Sequence, residues 1–542
     1  GAAPARRLLF AVPTQGDLQL SAGDVPRAPT QDGAVVARPP LSEAGALLER
    51  NRALLRAGPD LLGRPWPDLR RLAREEAVRA ATEYMSRRGE PVPAAATASL
   101  VLAGHQPELF HPGVWVKNFA LQGLARRHGV TPLNLVVDND TVKATALRVP
   151  GRAGIEAARP HAVSVPFDRW GGEAPYEERT VADPELFASF GARATEALAG
   201  WGYEPLLPGF WAEVLRQSER GPLLGECFAG ARRELERAWG CHNLEVPLSA
   251  VCRTESFAWF GCHLLAELPR FHALHNERVH AYRAAHGLRS RNHPVPDLAA
   301  EGDWLEAPLW GWRAGVARRG RVFARPRPDC IELRVGAERW PALPRAGMAA
   351  AWRALEGQGL KVRSRALTTT LFARLMLADL FIHGIGGGKY DELTDELIRG
   401  FYGVEAPAFA VLSATRLLPL PAERVRPEDC RRLAHTLRDL HYNPQRHFSI
   451  EVDGRLRELA GEKEALARRR PTDARERREW FASLRALTGR LREPLRGREQ
   501  RLRADLAECE RRLEVHAVLR RRDYAFPLYP EAALRPFCTQ FL

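Results

Sequence analysis

Gly104-His105-Gln106 sets an imidazole directly after the short apolar run Ser99-Leu100-Val101-Leu102-Ala103 and ahead of a loop rich in glycine and proline. An imidazole there can face an anion held at the amino end of the following helix, where backbone N–H groups point outward, and phosphate suits that position. A histidine after a strand is also a common structural residue. Gln106 could fix the tautomer of His105 or bond a ligand, and His111 fits a loop cap. Lys117 falls about one turn into an expected helix over 114–127, close enough to reach back to the loop; an ordinary solvated lysine is the alternative. Asp138-Asn139-Asp140, with Lys143 close behind, ends the next apolar run. Carboxylates there could grip a ribose hydroxyl, a substrate amine or Mg2+ on a nucleotide. The same composition also makes plain turns.

A second candidate is Gly384-Ile385-Gly386-Gly387-Gly388-Lys389-Tyr390, where glycines let backbone amides approach a ligand. It feeds Asp391, Glu392, Asp395 and Glu396 at a helix start, where acids complement the dipole. It is not a P-loop, because Lys389 precedes Tyr390 and not serine or threonine. Cys262, His263, His272, His275 and His280 have no strong zinc spacing and read as ordinary helical or surface residues, so no metal site is expected. No GxSxG elbow, HExxH or convincing Cys/His nucleophile is found.

Among 80 basic residues only five are lysines: Lys117, Lys143, Lys361, Lys389 and Lys463. A lysine kept where arginine is otherwise used suggests a need for its compact ammonium or its shiftable pKa. Three of the five fall in the segments above.

These residues need elements to carry them. Strand, loop, helix and a strand over 133–137 make a βαβ unit within about 40 residues. Its strands should be parallel with a right-handed crossover, which brings the 104–112 loop and the 138–143 turn to the carboxyl edge where open α/β sheets bind ligands. Helices are expected over 41–57, 66–85, 223–239 and 371–380, and strands over 244–251, 330–335 and 408–412. The stretch 151–345 reads as the rest of the core interrupted by insertions. From 421 to 520 the composition turns to Arg, Glu, Leu and Ala. Leu456, Leu459 and Leu466 share one face, and Leu502, Leu506, Cys509 and Leu513 follow heptad spacing. With Pro471 dividing it, this segment reads as an antiparallel coiled-coil hairpin suited to pairing with a second chain. The aromatic stretch from Tyr524 to Tyr529 should pack back onto the core.

A chain of 542 residues exceeds one compact core and suggests about three domains or a core with large insertions. Hydrophobic residues at 45% and charged residues at 27% fit a globular protein. No apolar run reaches the roughly 18 residues that span a bilayer, and residues 1–7 lead into too short an apolar stretch for a signal peptide. A cytoplasmic place without a membrane partner is expected. Eight cysteines without a CxxC pair read as reduced thiols. The net charge of +14, mostly arginine in helices, reads as a solvated helical surface more readily than as a nucleic-acid footprint.

The GHQ loop, Lys117, the acidic run Asp138-Asn139-Asp140, the glycine segment and the Arg/Leu-rich hairpin together resemble the bacillithiol synthase family (BshC), the cysteine-adding enzymes of bacillithiol biosynthesis. The closing Phe526-Pro527 and Leu534-Arg535 look similar to that family's terminal segment. Two positions depart from its pattern: Asn139-Asp140-Thr141 lacks a histidine, and Gly388-Lys389 stands where a proline and an acid occur. The resemblance implies an α/β, Rossmann-like parallel-sheet core of the class I nucleotidylyl-transferase kind, with a coiled coil that supports a homodimer. It also implies a carbon–nitrogen ligase that joins cysteine to the amine of a glucosaminyl-malate.

The expected layout is a core with an N-terminal extension and insertions over 1–420, the coiled coil over 421–520 and a closing segment over 521–542. In the expected site His105, Lys117, Asp138, Asp140 and Lys389 act, while Gly104, Gln106, Lys143, Gly386, Gly387, Gly388 and Tyr390 bind substrate or nucleotide. ATP or another nucleotide is the expected cofactor, with Mg2+ open. A tRNA-associated synthetase-like enzyme and a non-catalytic dimeric scaffold are the alternatives.

Overall fold

The computed structural model describes residues 26–151, 160–316, 318–421, 425–448 and 453–542. The opening residues 1–7 therefore lie outside the described residues. Numbered along the chain, β1 (Val35–Arg38), β2 (Leu100–His105), β3 (Thr131–Val136), β6 (Leu244–Pro247), β13 (Leu380–His383) and β14 (Phe409–Ala414) form one sheet. Its order is β1-β14-β13-β2-β3-β6, parallel throughout except for β1 at the edge. A separate antiparallel pair is made by β4 (Ala146–Gly151) and β5 (His161–Pro166). A second sheet, antiparallel, contains β7 (Ala300–Glu301), β8 (Trp304–Arg313), β9 (Gly320–Pro326), β10 (Cys330–Val335), β11 (Glu338–Pro344) and β12 (Leu360–Ser364).

The expected βαβ unit is present. β2 and β3 pair in parallel from Leu100 opposite Thr131 to His105 opposite Val136, joined by the helix Pro112–His128. That helix stops at Gly129, whose left-handed φ of 63° suits a residue without a side chain. Alternation along the strands sorts their side chains between two cores. Val101, Ala103, Leu380 and Ile382 join the core under Trp115, Val116 and Phe119 of that helix. Leu100, Leu102, Phe381 and Val411 join the opposite core with Leu69 and Ala73 of helix Trp66–Arg87 and Leu393 and Leu397 of helix Ile385–Leu397. Each of the larger side chains, Val, Leu, Ile and Phe, contributes about 1.5–3 kcal/mol of burial. The helices that follow the adjacent strands β2 and β13 thus cover opposite faces, which opens a crevice between those two strand ends.

Several sequence expectations change. The helix expected over 371–380 is Ala366–Phe372 followed by a wider turn, Ala373–Leu377, and leaves room for β13. The glycine segment is no loop: Gly384 caps a helix that starts at Ile385, and Gly386, Gly387 and Gly388 lie in its first turns. Tertiary packing through Leu393 and Leu397 overrides the poor helix propensity of glycine. Residues 244–251 split into β6 and a short helix, Leu248–Cys252. The strand expected over 330–335 is β10, which belongs to the second sheet, so part of the 151–345 stretch builds a sheet of its own.

The C-terminal hairpin forms, but each arm is broken. Helices Pro427–Tyr442 and Gly454–Arg468 run out, and Ala474–Arg492 and Arg496–Leu519 return, with the first packed on the last and the middle two on each other. Pro471 sits in the turn between them. One cysteine expectation is corrected: Cys430 and Cys509 form a disulfide with Cα atoms 5.6 Å apart. They are 79 residues apart without any motif spacing, and only the hairpin brings them together. The other cysteines are free thiols. In the closing segment the Phe526 N–H donates to the Phe110 carbonyl and its ring lies 4.3 Å from that of Trp115.

Candidate functional site

The carboxyl ends of β2, β3, β13 and β14 open on one cleft of about 730 Å³. Its far wall comes from the second sheet, through Trp310 on β8, Arg321 on β9 and Ser364 at the end of β12. Gly104, His105, Gln106, Lys117, Asp140, Gly386, Gly387 and Tyr390 line it, so two segments nearly 280 residues apart meet there. Gly104 has a local reason to lack a side chain: a Cβ there would sit 3.1 Å from the Leu135 carbonyl oxygen of the neighbouring strand.

Lys117 is the central cation. Its residue is 3% exposed, and its Nζ donates 3.1 Å to the Gly104 carbonyl, its only hydrogen bond among the described residues. No carboxylate lies within ion-pair reach of it among the described residues. Burial lowers its pKa to about 8. A Cβ on Gly384 would lie 3.9 Å from the same Nζ, so the ammonium stands between the end of β2 and the start of helix Ile385–Leu397.

His105 has Nδ1 3.1 Å from the Gln106 carbonyl. A carbonyl only accepts, so Nδ1 carries the proton and Nε2 keeps its lone pair. Burial and the nearby Lys117 ammonium push its pKa down to about 3, which keeps the imidazole neutral across ordinary pH. It is the backbone of Gln106 that sets the tautomer; the Gln106 side chain donates 2.8 Å to Asp140 Oδ2. Burial raises the Asp140 pKa, but the hydrogen bond from Gln106 and the charge of Arg319 outweigh it and hold the carboxyl below its usual range. Arg319 donates 3.0 Å to Asp140 Oδ1. His111 caps helix Pro112–His128 by accepting from the Gly113 N–H at 3.1 Å.

The sign of the cleft follows from a census of its described lining. Lys117, Arg319, Arg321, Arg365 and Arg522 face a single carboxylate, Asp140. Glu306 stands behind the wall and pairs with Arg365 and Arg321. Arg319 and Arg365 both lie over the Trp310 ring, at 4.7 and 4.6 Å from its centroid. Such stacked guanidinium groups are held in place by the ring and favour an anionic guest.

Sequence reasoning missed His383, which ends β13 as His105 ends β2. Its Nε2 lies 2.7 Å from Asp391 Oδ2, and Asp391 is paired in turn with Arg374 at 2.8 Å. Burial opposes the charge on Asp391, but the Arg374 guanidinium and His383 hold that carboxyl far below its usual range. Gly387 must be glycine because a Cβ there would come 2.7 Å from His383 Nδ1. Of the acids after the glycines, Asp391 and Asp395 pair with the buried Arg374 and are not helix caps.

Four expected site residues stand elsewhere. Lys389 is exposed on its helix, and its carbonyl accepts from the Tyr282 hydroxyl at 3.0 Å. Lys143 is exposed and does not line the cleft. Gly388 is buried inside the helix turn. Asp138 is turned away and accepts from the backbone N–H and hydroxyl of Ser249, anchoring the short helix after β6. Burial and the neighbouring Glu177 push its pKa up to about 7.

His272, His275 and His280 are engaged by Ala299, Asn276 and Asp297 respectively. Among the described residues no three His, Cys, Asp or Glu side chains converge as a metal set. No described helix is long and apolar enough to cross a membrane. In comparisons with known proteins, no family matches the chain and no curated protein is significantly similar to it.

Proposed function

We propose that the chain is a ligase-type enzyme resembling the BshC family, which joins cysteine or a related amino acid to the amine of a small amino-sugar acceptor in this cleft. The observation that carries the reading is Lys117: a buried ammonium without a carboxylate partner, at the carboxyl edge of a parallel sheet, calls for an anion. A class I nucleotidylyl-transferase-like, Rossmann-like core is part of the same proposal, supported by the parallel order and the crevice between β2 and β13.

The residues fit a phosphate or nucleotide such as ATP. Lys117 and Arg522 supply charge, and the bare Nε2 of His105 accepts from a donor on the guest. Asp140, fixed by Gln106 and Arg319, holds the acceptor amine. Neutralising negative charge that develops on a leaving group falls to Lys117 in place of Lys389. The residues do not fit a resident Mg2+, because one carboxylate already held by two donors is no oxygen cage. A homodimer through the hairpin and a cytoplasmic place belong to the same proposal.

Calorimetric titration of ATP and pyrophosphate into the wild type and His105→Ala tests the site. Binding by the wild type and its loss in a folded His105→Ala protein support it. Equal binding by both removes the site assignment.

A further inference from the structure

Positive charge is concentrated at the far end of the hairpin. Between residues 468 and 492 stand nine arginines and three acids, so six of the chain's fourteen net positive charges lie in one short segment. Arg475 pairs with Glu479 and Arg492 with Glu499, whereas Arg470, Arg477, Arg478 and Arg485 have no carboxylate within ion-pair reach among the described residues. On helix Ala474–Arg492, Arg477, Phe481 and Arg485 recur every fourth residue and share one exposed flank. Trp480 turns inward, its indole N–H donating 2.7 Å to the Leu466 carbonyl of the opposite arm. Phe481 is left 48% exposed, four residues from Arg477 on one side and four from Arg485 on the other.

Folding gains little from this flank beyond the edge contact of Phe481 with Trp480 at 4.8 Å. Arg477 and Arg485 make no ion pair among the described residues, and the part of Phe481 that faces water contributes no burial. Both features have a use against a polyanion that also offers flat rings. Guanidinium groups neutralise phosphates, and an exposed aromatic gives a base a stacking surface. A second copy of the tip fits poorly, since two segments of the same high positive charge repel. A bilayer fits poorly too, because the flank has one aromatic and no continuous apolar face.

We propose that the distal hairpin, through Arg477, Phe481 and Arg485 with the arginines of the 468–470 turn, is a docking surface for single-stranded or looped RNA. This surface is separate from the cleft and does not rest on the ligase reading.

Fluorescence anisotropy of the full-length protein tests it, using labelled single-stranded RNA, an RNA duplex of equal length and vesicles containing phosphatidylserine. The expected result is single-strand binding that weakens steeply with salt. Joint Arg477→Glu and Arg485→Glu replacement should weaken it more than about tenfold. Phe481→Ala should weaken it roughly 5- to 100-fold with little change in the salt slope, as loss of stacking does. Arg477→Gln, a milder change at the same exposed position, should fall between wild type and the double variant. Absence of RNA binding at low salt, equal binding by all variants, equal affinity for single strand and duplex, or preference for the vesicles would each overturn the proposal.

Discussion

Replacing Lys117 by methionine should make the unliganded protein more stable while it abolishes anion binding. Lys117 is 3% exposed, and burial lowers its pKa from 10.5 to about 8. That displacement corresponds to about 3 kcal/mol against folding when the group is charged. Methionine keeps the length of the chain and removes the charge. It forfeits one hydrogen bond to the Gly104 carbonyl, about 1 kcal/mol, so a net gain of about 2 kcal/mol is expected at pH 7. The pH dependence is specific. The folded chain releases this proton near pH 8 and the unfolded chain near 10.5, so the wild-type penalty is full below pH 8 and disappears as pH rises through 10.5. Urea unfolding at pH 7 and pH 10 should therefore show the Lys117→Met advantage shrinking at the higher pH, while pyrophosphate affinity at pH 7 falls at least roughly tenfold. A variant less stable than wild type at pH 7, with ligand affinity unchanged, would show that the ammonium serves the fold and refute the reasoning.

Three further outcomes follow from the same structure. Asp138 keeps its proton in the folded chain up to about 7 but loses it near 3.8 when unfolded, so it lowers stability as pH rises across that window. Asp138→Asn should flatten this slope in unfolding titrations and leave pyrophosphate affinity within about twofold; a collapse of affinity would return Asp138 to the site. A Cβ at Gly113 would come 2.0 Å from the Ala414 carbonyl oxygen, so Gly113→Ala should cost about 3 kcal/mol or more in chemical denaturation, and wild-type stability would show that the helix can shift freely. Cys430→Ser opens a loop closed over 79 residues, a loss of about 4–5 kcal/mol in the chain-entropy account. Hydrogen exchange across residues 427–442 should rise in that variant, and unchanged protection would show that packing alone holds the arms.

The parts of this architecture legible in the sequence are those encoded locally. The βαβ unit around His105 was readable because its apolar runs and its helix lie within one stretch, and period-two alternation was not needed where both faces are buried. β13 was hidden, since the apolar run through Leu380 continues helical spacing from Leu371 and periodicity cannot separate the two. The glycines invited a loop because propensity was weighed without the tertiary contact between Gly387 and His383 that explains one of them. Scarcity of lysine pointed to three positions, and the structure separates them. Lys117 is buried in the cleft, while Lys143 and Lys389 face solvent. Outside the candidate segments, Lys361 pairs with Glu177 and Glu178, and Lys463 bonds Tyr442 and Gln445. Arg319, Arg365 and Arg522 carried no local signal in a chain dominated by arginine, and only the second sheet and the returning hairpin bring them to the cleft. Cys430 and Cys509 are likewise joined by topology alone.

The most direct test of the ligase reading is a mass-spectrometric search for condensation product after incubating the full-length protein with cysteine, ATP and glucosaminyl-malate, beside Lys117→Met under the same conditions. The account predicts a product with a new amide bond from the wild type and none from the variant. Product formed equally by both, or by neither, would contradict the assignment of this cleft as a ligase site built on Lys117.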